Sequence, residues 1–343
     1  ITYKLQDYKI IGTKKMEEKI TKYTQENNLS DIHIRSNQPA AIRVNGEIIT
    51  FPEDIITDKA FEEFLVKNIE SDQLELFNRT GDLDASVVLG VQRYRINVFK
   101  SMDGSCAVLR KIEDEIPDTE KIKIPPVIIS ETDAHSGLIL VTGPTGSGKS
   151  TTLASMIKKI NQSRAANIIT VEDPIEFIHS NIKSIISQRE VGKHVESFAK
   201  GLKSALREDP DVVLVGELRD LETVSMALTA AETGHLVMGT LHTNGAPNTI
   251  NRILDVFPPS QQNQARSQLS QSLRIVVTQQ LLQTRDKQGR VAAYEIMKCN
   301  PAVQNLIREG KIFQIPSIMQ TAAAEGMITM DKSIENLSAA GKI

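Results

Sequence analysis

Gly143-Pro144-Thr145-Gly146-Ser147-Gly148-Lys149-Ser150 has the residue types that hold a polyphosphate, at the spacing G-x-x-x-x-G-K-[ST]. Its glycines let backbone N–H groups turn inward onto phosphate oxygens. A helix opening directly after the loop adds the positive end of its dipole. Lys149 should reach the β- and γ-phosphates, the Ser150 hydroxyl should ligate Mg²⁺, and Thr151 lies beside it at the bound ATP. In a chain of 343 residues the four fixed positions coincide by chance roughly once in a hundred. The chain is expected to bind a nucleoside triphosphate.

Hydrolysis of that triphosphate requires a carboxylate at the metal and a base for the attacking water. Asp211-Val-Val-Leu-Val-Gly-Glu217 reads as a buried strand ending in a carboxylate, and Glu217 is expected to act on Mg²⁺ through water. A second strand, Ile168-Ile-Thr-Val, runs into Glu172, Asp173 and, past Pro174, Glu176. Pro174 stops that strand and turns the chain across the end of the sheet, where ligands bind in α/β folds. Glu172 and Asp173 are expected at the ATP, and at least one of the three acids should polarise water. A third apolar strand has His235 at one end and His242 at the other. Roughly 23 Å apart in an extended strand, they cannot share a metal. The pair suggests a γ-phosphate sensor, or a relay to a neighbouring subunit. His242 is placed among the catalytic groups and His235 among those contacting ATP. His33, His135, His179 and His194 have no such context and read as ordinary surface or core residues.

The hydrophobic pattern predicts the strands and helices around these groups. The runs LILV, IITV, VVLV and LVMGTL alternate with helical stretches. That βα alternation implies a mostly parallel sheet with buried strands. The first third has a different texture. Met16, Ile20 and Tyr23 recur at helical spacing, and Asp31–Arg35 alternates as a strand. Asn45-Gly46 between apolar runs predicts a hairpin, and a second helix is expected over about 57–78. DASVVLG, QRYRINVFKS and CAVLRKI predict further short strands, hence a small α+β domain on an antiparallel sheet. Residues 1–15 are expected to form an arm. Residues 113–126, charged and with three prolines, have linker composition and set the domain boundary.

Composition narrows the class further. Forty per cent hydrophobic and 24% charged residues argue against disorder. With 43 acidic and 40 basic residues, 4% aromatics and no Trp, the basic, aromatic-lined stripe of a nucleic-acid translocase is missing. No apolar run approaches the roughly 18 residues that span a bilayer, and no signal peptide opens the chain. Cys106 and Cys299 cannot build a disulfide framework or a four-cysteine zinc site. A cytoplasmic protein is expected.

Together VEDPIEF (171–177), QREVG (188–192), DPDVVLVGELRD (209–220), TGHLVMGTLHTN (233–244) and INRILDVFP (250–258) resemble the secretion ATPase superfamily of type II and type IV machines. The likeness runs from about Met16 to the C-terminus and is strongest to the pilus-retraction (twitching-motility, PilT-type) ATPases. It implies an α/β fold: a PAS-like domain over 16–112 and a RecA-like P-loop ATPase core over 127–343, ending in a helical region. It maps the Walker A box to 143–150, the Asp box to 172–176, the Walker B box to 211–217 and the His box to 235–242. The last acid of the Asp box, Glu176, is implied as the general base. Arginines of the N-terminal domain are implied at the γ-phosphate, matching Arg93-Tyr-Arg95 and Arg110 here, while Lys100 departs from the family pattern. Asn300-Pro-Ala-Val-Gln304-Asn-Leu-Ile-Arg-Glu-Gly310 resembles the box of retraction members, with Gln304 where Arg is expected, and Gly326–Asp331 matches a further C-terminal signature. The implied protein is a homo-hexameric ATP-driven motor for type IV pilus retraction. Its implied partners are an inner-membrane platform protein and the pilus machinery, and it sits peripherally on the cytoplasmic face. A pilus-extension or type II secretion assembly ATPase is the alternative, and a nucleic-acid translocase is more remote.

Overall fold

Apolar residues alternate along strands of the first third and run continuously along those that follow, and two separate sheets result. The computed structural model describes residues 9–11, 13–27, 29–44, 47–112, 115–287 and 289–343. The chain divides into two units, Ile1–Asp114 and Glu115–Ile343.

The first unit runs β1 (Lys9–Ile11), α1 (Thr13–Glu26), β2 (Leu29–Arg35), β3 (Pro39–Val44), β4 (Glu47–Ile56), α2 (Asp58–Asn68), α3 (Ser71–Thr80), β5 (Asp82–Leu89), β6 (Gln92–Ser101) and β7 (Gly104–Lys111). The strands form one sheet in the order β1-β4-β3-β2-β7-β6-β5, antiparallel except for β1 beside β4. Met16, Ile20 and Tyr23 of α1 join Phe61 and Phe64 of α2 and the inward residues Ile32, Ile96 and Leu109 in one core. Two expectations are corrected here. Within the supposed arm, β1 pairs with the sheet and α1 begins at Thr13. The helix expected over 57–78 is two helices, because Ile69 turns extended (φ −114°, ψ 140°) and buries its side chain. Asn45-Gly46, expected to form the hairpin, lie outside the described residues.

The second unit contains α4 (Pro126–Ile129), β8 (Gly137–Thr142), α5 (Lys149–Ser163), β9 (Asn167–Glu172), β10 (Ile185–Glu190), α6 (Phe198–Ala205), β11 (Val212–Val215) and α7 (Leu221–Glu232). It continues with β12 (Leu236–Leu241), α8 (Ala246–Asp255), α9 (Gln262–Ser272), β13 (Leu273–Gln283), β14 (Arg290–Lys298), α10 (Pro301–Arg308), α11 (Ile315–Thr321) and α12 (Met330–Ala339). The sheet order is β10-β9-β11-β12-β8-β13-β14, parallel up to β13, with β14 antiparallel at the edge. Alternate strand residues feed two cores. Val213, Val215 and Val237 pack with α6 to α9, whereas Val212, Leu214 and Met238 pack with α5. Burial on both faces is what makes these strands continuous apolar runs.

The charged stretch 115–126 is no free linker. Ile116 and Ile124 are buried. Lys158 donates to the Ile116 carbonyl at 2.7 Å, and Ser155 to that of Pro117 at 2.8 Å. The two isoleucines, spaced too far apart for a periodic pattern, tie this segment to α5.

Candidate nucleotide site

β8 is buried at all six positions, and Gly143 follows directly. At Gly143 (φ 137°) a Cβ would stand 2.3 Å from the Gln279 carbonyl oxygen, so only glycine fits this turn. At Gly148 (φ 90°), the N-cap of α5, a Cβ would stand 2.8 Å from the Gln279 side-chain nitrogen. Gln279 is itself fixed, accepting a hydrogen bond from Thr152 at 2.8 Å. Pro144, Thr145 and Gly146 form an exposed tip, and Ser150 and Thr151 lie half-buried on the first turn of α5.

The Ser147 hydroxyl is buried without a hydrogen-bond partner among the described residues. Lys149, nearly buried, donates to the carbonyls of Gly143 at 2.9 Å and Pro144 at 3.0 Å. Burial holds its ammonium below the ordinary lysine value, and the carboxylates of Glu217 and Glu176 pull it back up. A cleft of about 1140 Å³ opens beside Gly148 and Thr151 and is lined further by Leu281, Ala292 and Tyr294.

Parallel register carries the acids to the same sheet edge. Thr142 pairs with Leu241, Gly239 with Val215, and Val215 with Val171. The residues that leave these strand ends are Gly143, His242, Glu217 and Glu172. Glu217 accepts from Arg219 at 2.6 Å, with the His242 Nε2 at 3.5 Å. Burial opposes its ionisation, but Arg219, His242 and Lys149 together hold the carboxyl below its ordinary range. Arg219 in turn feels the charge of Asp173. Glu176 is exposed on the loop after β9, near enough for its charge to act on Lys149.

Two expected site residues are placed differently. Glu172 is expected at the ATP, yet it accepts from Thr170 at 2.6 Å and Gln188 at 3.2 Å, so its carboxylate is spent inside the protein. Burial pushes that carboxyl up, against both hydrogen bonds. Asp173 is exposed, and its charge acts on Arg219 beside Glu217. His235 lies at the opposite end of β12, its Nδ1 3.0 Å from the Ala230 carbonyl. A six-residue strand is about 20 Å long, so the parallel sheet sends the two histidines to opposite edges. In the first unit, Arg95 and Arg110 pair across β6 and β7. Arg110 donates to Asp31 at 2.8 Å, and Arg95 lies 3.6 Å from Asp84.

A family model described as Type II/IV secretion system protein matches residues 7–341. The chain belongs to this family. Family members similar to it include the twitching motility protein of Neisseria gonorrhoeae, 50% identical over 305 residues (88% of this chain, 81% of that one). The type IV pilus retractation ATPase PilT of Pseudomonas aeruginosa is 44% identical over 322 residues (94% and 93%). A crystal structure of the pilus retraction motor PilT with bound ADP superimposes with a TM-score of 0.87 at 46% identity, covering 95% of this chain and 93% of that one. The Legionella pneumophila ATPase DotB follows at a TM-score of 0.81 and 27% identity, covering 98% and 97%.

Sequence reasoning missed Arg219 and Gln279. Arg219 stands two residues beyond the strand-end acid, a short reach for an ion pair across a turn. Thr278, Gln279 and Gln280 interrupt the apolar residues Ile275–Val277 and Leu281–Leu282 of β13, and a polar break at the buried Gln279 is the available signal.

Proposed function

We propose that this chain is an ATP-hydrolysing motor that powers type IV pilus retraction. The observation that carries the reading is the convergence of Lys149, Glu176 and Glu217 at one sheet edge, beside a glycine loop that tolerates no side chain at Gly143. Relatives covered over most of their length are named for retraction and twitching, and one solved relative holds ADP.

In this reading residues 143–151 wrap the triphosphate, and Lys149 exchanges its two loop carbonyls for phosphate oxygens. Glu176 takes the proton of the attacking water. Ser150 would hold Mg²⁺, with Glu217 acting through water, and the ion would supply positive charge beside the phosphates. His242, its Nε2 3.5 Å from Glu217, senses the γ-phosphate. The first unit is the PAS-like domain and the second the RecA-like core, assembled as a homo-hexameric ring in which Arg95 and Arg110 reach the γ-phosphate. The ring acts on an inner-membrane platform protein from the cytoplasmic face. Among the described residues no helix is long and apolar enough to cross a membrane, in keeping with a peripheral motor.

Deletion of the gene in the source organism tests the direction of the motor. Abundant, static surface pili are expected, and a cell without pili would show that the chain extends them.

A further inference from the structure

The segment 173–184, between β9 and β10, carries Glu176 and has no helix or strand of its own. An exposed acid on an irregular loop is poorly placed to hold a water in line with a phosphate unless something fixes its backbone. Two side chains of the edge strand β10 do so. The Glu190 carboxylate, buried, accepts the Ile175 N–H at 3.1 Å. Gln188 accepts the His179 N–H at 2.8 Å through its Oε1. Through its Nε2 it donates to the Phe177 carbonyl at 2.7 Å and to Glu172 at 3.2 Å. Only this amide orientation meets an N–H with the oxygen and two acceptors with the nitrogen. Backbone groups at 175, 177 and 179, on both sides of Glu176, are therefore all tied to β10.

We infer that Gln188 and Glu190 form a bracket on β10 that positions Glu176 for hydrolysis, acting through backbone hydrogen bonds and touching no nucleotide group themselves. The register makes this possible: Gln188 pairs with Thr170 and Glu190 with Glu172 along the parallel β9–β10 ladder, so both side chains sit level with the loop's departure point. A separate anchor holds the far half of the loop. Asn161 of α5, buried, accepts from Ile182 and Ser184 at 3.0 and 3.2 Å and donates to the Ser180 carbonyl at 2.7 Å. Division of labour follows, with Asn161 fixing the loop's return and the β10 bracket fixing the residues that flank Glu176. The inference rests on Glu176 being the base.

The test is steady-state ATP hydrolysis and nucleotide affinity of the full chain carrying Gln188→Met, Glu190→Ala, Glu190→Gln or Glu176→Gln, and of the Glu176→Gln/Gln188→Met double variant. Methionine removes the three hydrogen bonds at nearly constant volume, so the fold is retained. Gln188→Met and Glu190→Ala are expected to lower kcat roughly ten- to a hundredfold, as displacement of a catalytic group by about 1 Å does, with ATP affinity unchanged. Glu190→Gln keeps an acceptor for the Ile175 N–H and should recover most of kcat. In the Glu176→Gln background, Gln188→Met should add no further loss, because it acts through the group already removed. An inert Glu176→Gln beside a fully active Gln188→Met would overturn the bracket alone. So would a multiplicative loss in the double variant, or a fall in ATP affinity equal to the fall in kcat. Full turnover by Glu176→Gln would overturn the base assignment and the bracket together.

Discussion

Two loops leave the same edge of the second sheet, and they are held in opposite ways. The phosphate loop is fixed locally, by positive φ at its glycines and by the start of α5 immediately behind it. The Glu176 loop is fixed from a distance, by Gln188, Glu190 and Asn161, each at least eleven residues from the backbone group nearest Glu176 that it, or its neighbour, restrains. A binding element that must present a row of N–H donors can be written into eight consecutive residues. A catalytic carboxylate that must meet a water at one angle needs outside struts. The first tolerates almost no change of residue type in its glycines, while the second tolerates any change that preserves donors and acceptors.

The contrast can be broken at Lys149. Lys149→Ala should lower turnover at least about a hundredfold, because it removes a charge aimed at the transferred phosphate. Coupled-enzyme ATP hydrolysis measures this, and a variant retaining a tenth of wild-type turnover would show that the loop's charge is not used.

Substitutions within the loop separate backbone strain from steric overlap. Gly143→Ala places a methyl 2.3 Å from the Gln279 carbonyl and should cost about 1–3 kcal/mol in backbone strain before that overlap is relieved. Gly146→Ala has the same left-handed strain (φ 77°) but meets nothing within 4 Å, so it should cost only about 1–2 kcal/mol. Urea unfolding of both variants checks the order, and equal losses would mean that the Gln279 contact yields without cost.

The smallest expected effect is at Glu172. Burial raises its carboxyl above the ordinary 4.5, so folding favours the protonated form. That stability is fully present below pH 4.5 and is lost as pH rises through the raised value. Glu172→Gln removes the ionisation and should raise the melting temperature at pH 7 to 8, with the gain vanishing near pH 4. A variant less stable than wild type at pH 7 would show that the charge of Glu172 is needed by Thr170 and Gln188.

The same division explains what could be read from the sequence. The phosphate loop, the four apolar strands behind the site and the acids at their ends follow from local pattern, since each is specified within a few residues. What escaped depends on register and strand direction. His235 and His242 look equivalent in the sequence, but a parallel sheet places one beside Glu217 and the other at the far edge. Glu172 and Glu176 look like equal acids, but the pairing of β10 with β9 brings Gln188 under one and leaves the other exposed. The stretch 115–126 reads as a linker because two anchoring isoleucines make no period. Arg219 escaped because its value lies in a partner, Glu217, whose ion pair only the turn between them reveals.

The glycine loop holds nucleotide in this reading, while the separately braced Glu176 performs hydrolysis. Single-turnover measurement with labelled ATP on Glu176→Gln separates the two roles. Wild-type ATP affinity is expected, with bound ATP cleaved on the order of a hundredfold or more slowly. Cleavage at the wild-type rate, or loss of ATP affinity in step with cleavage, would show that the roles are not divided in this way.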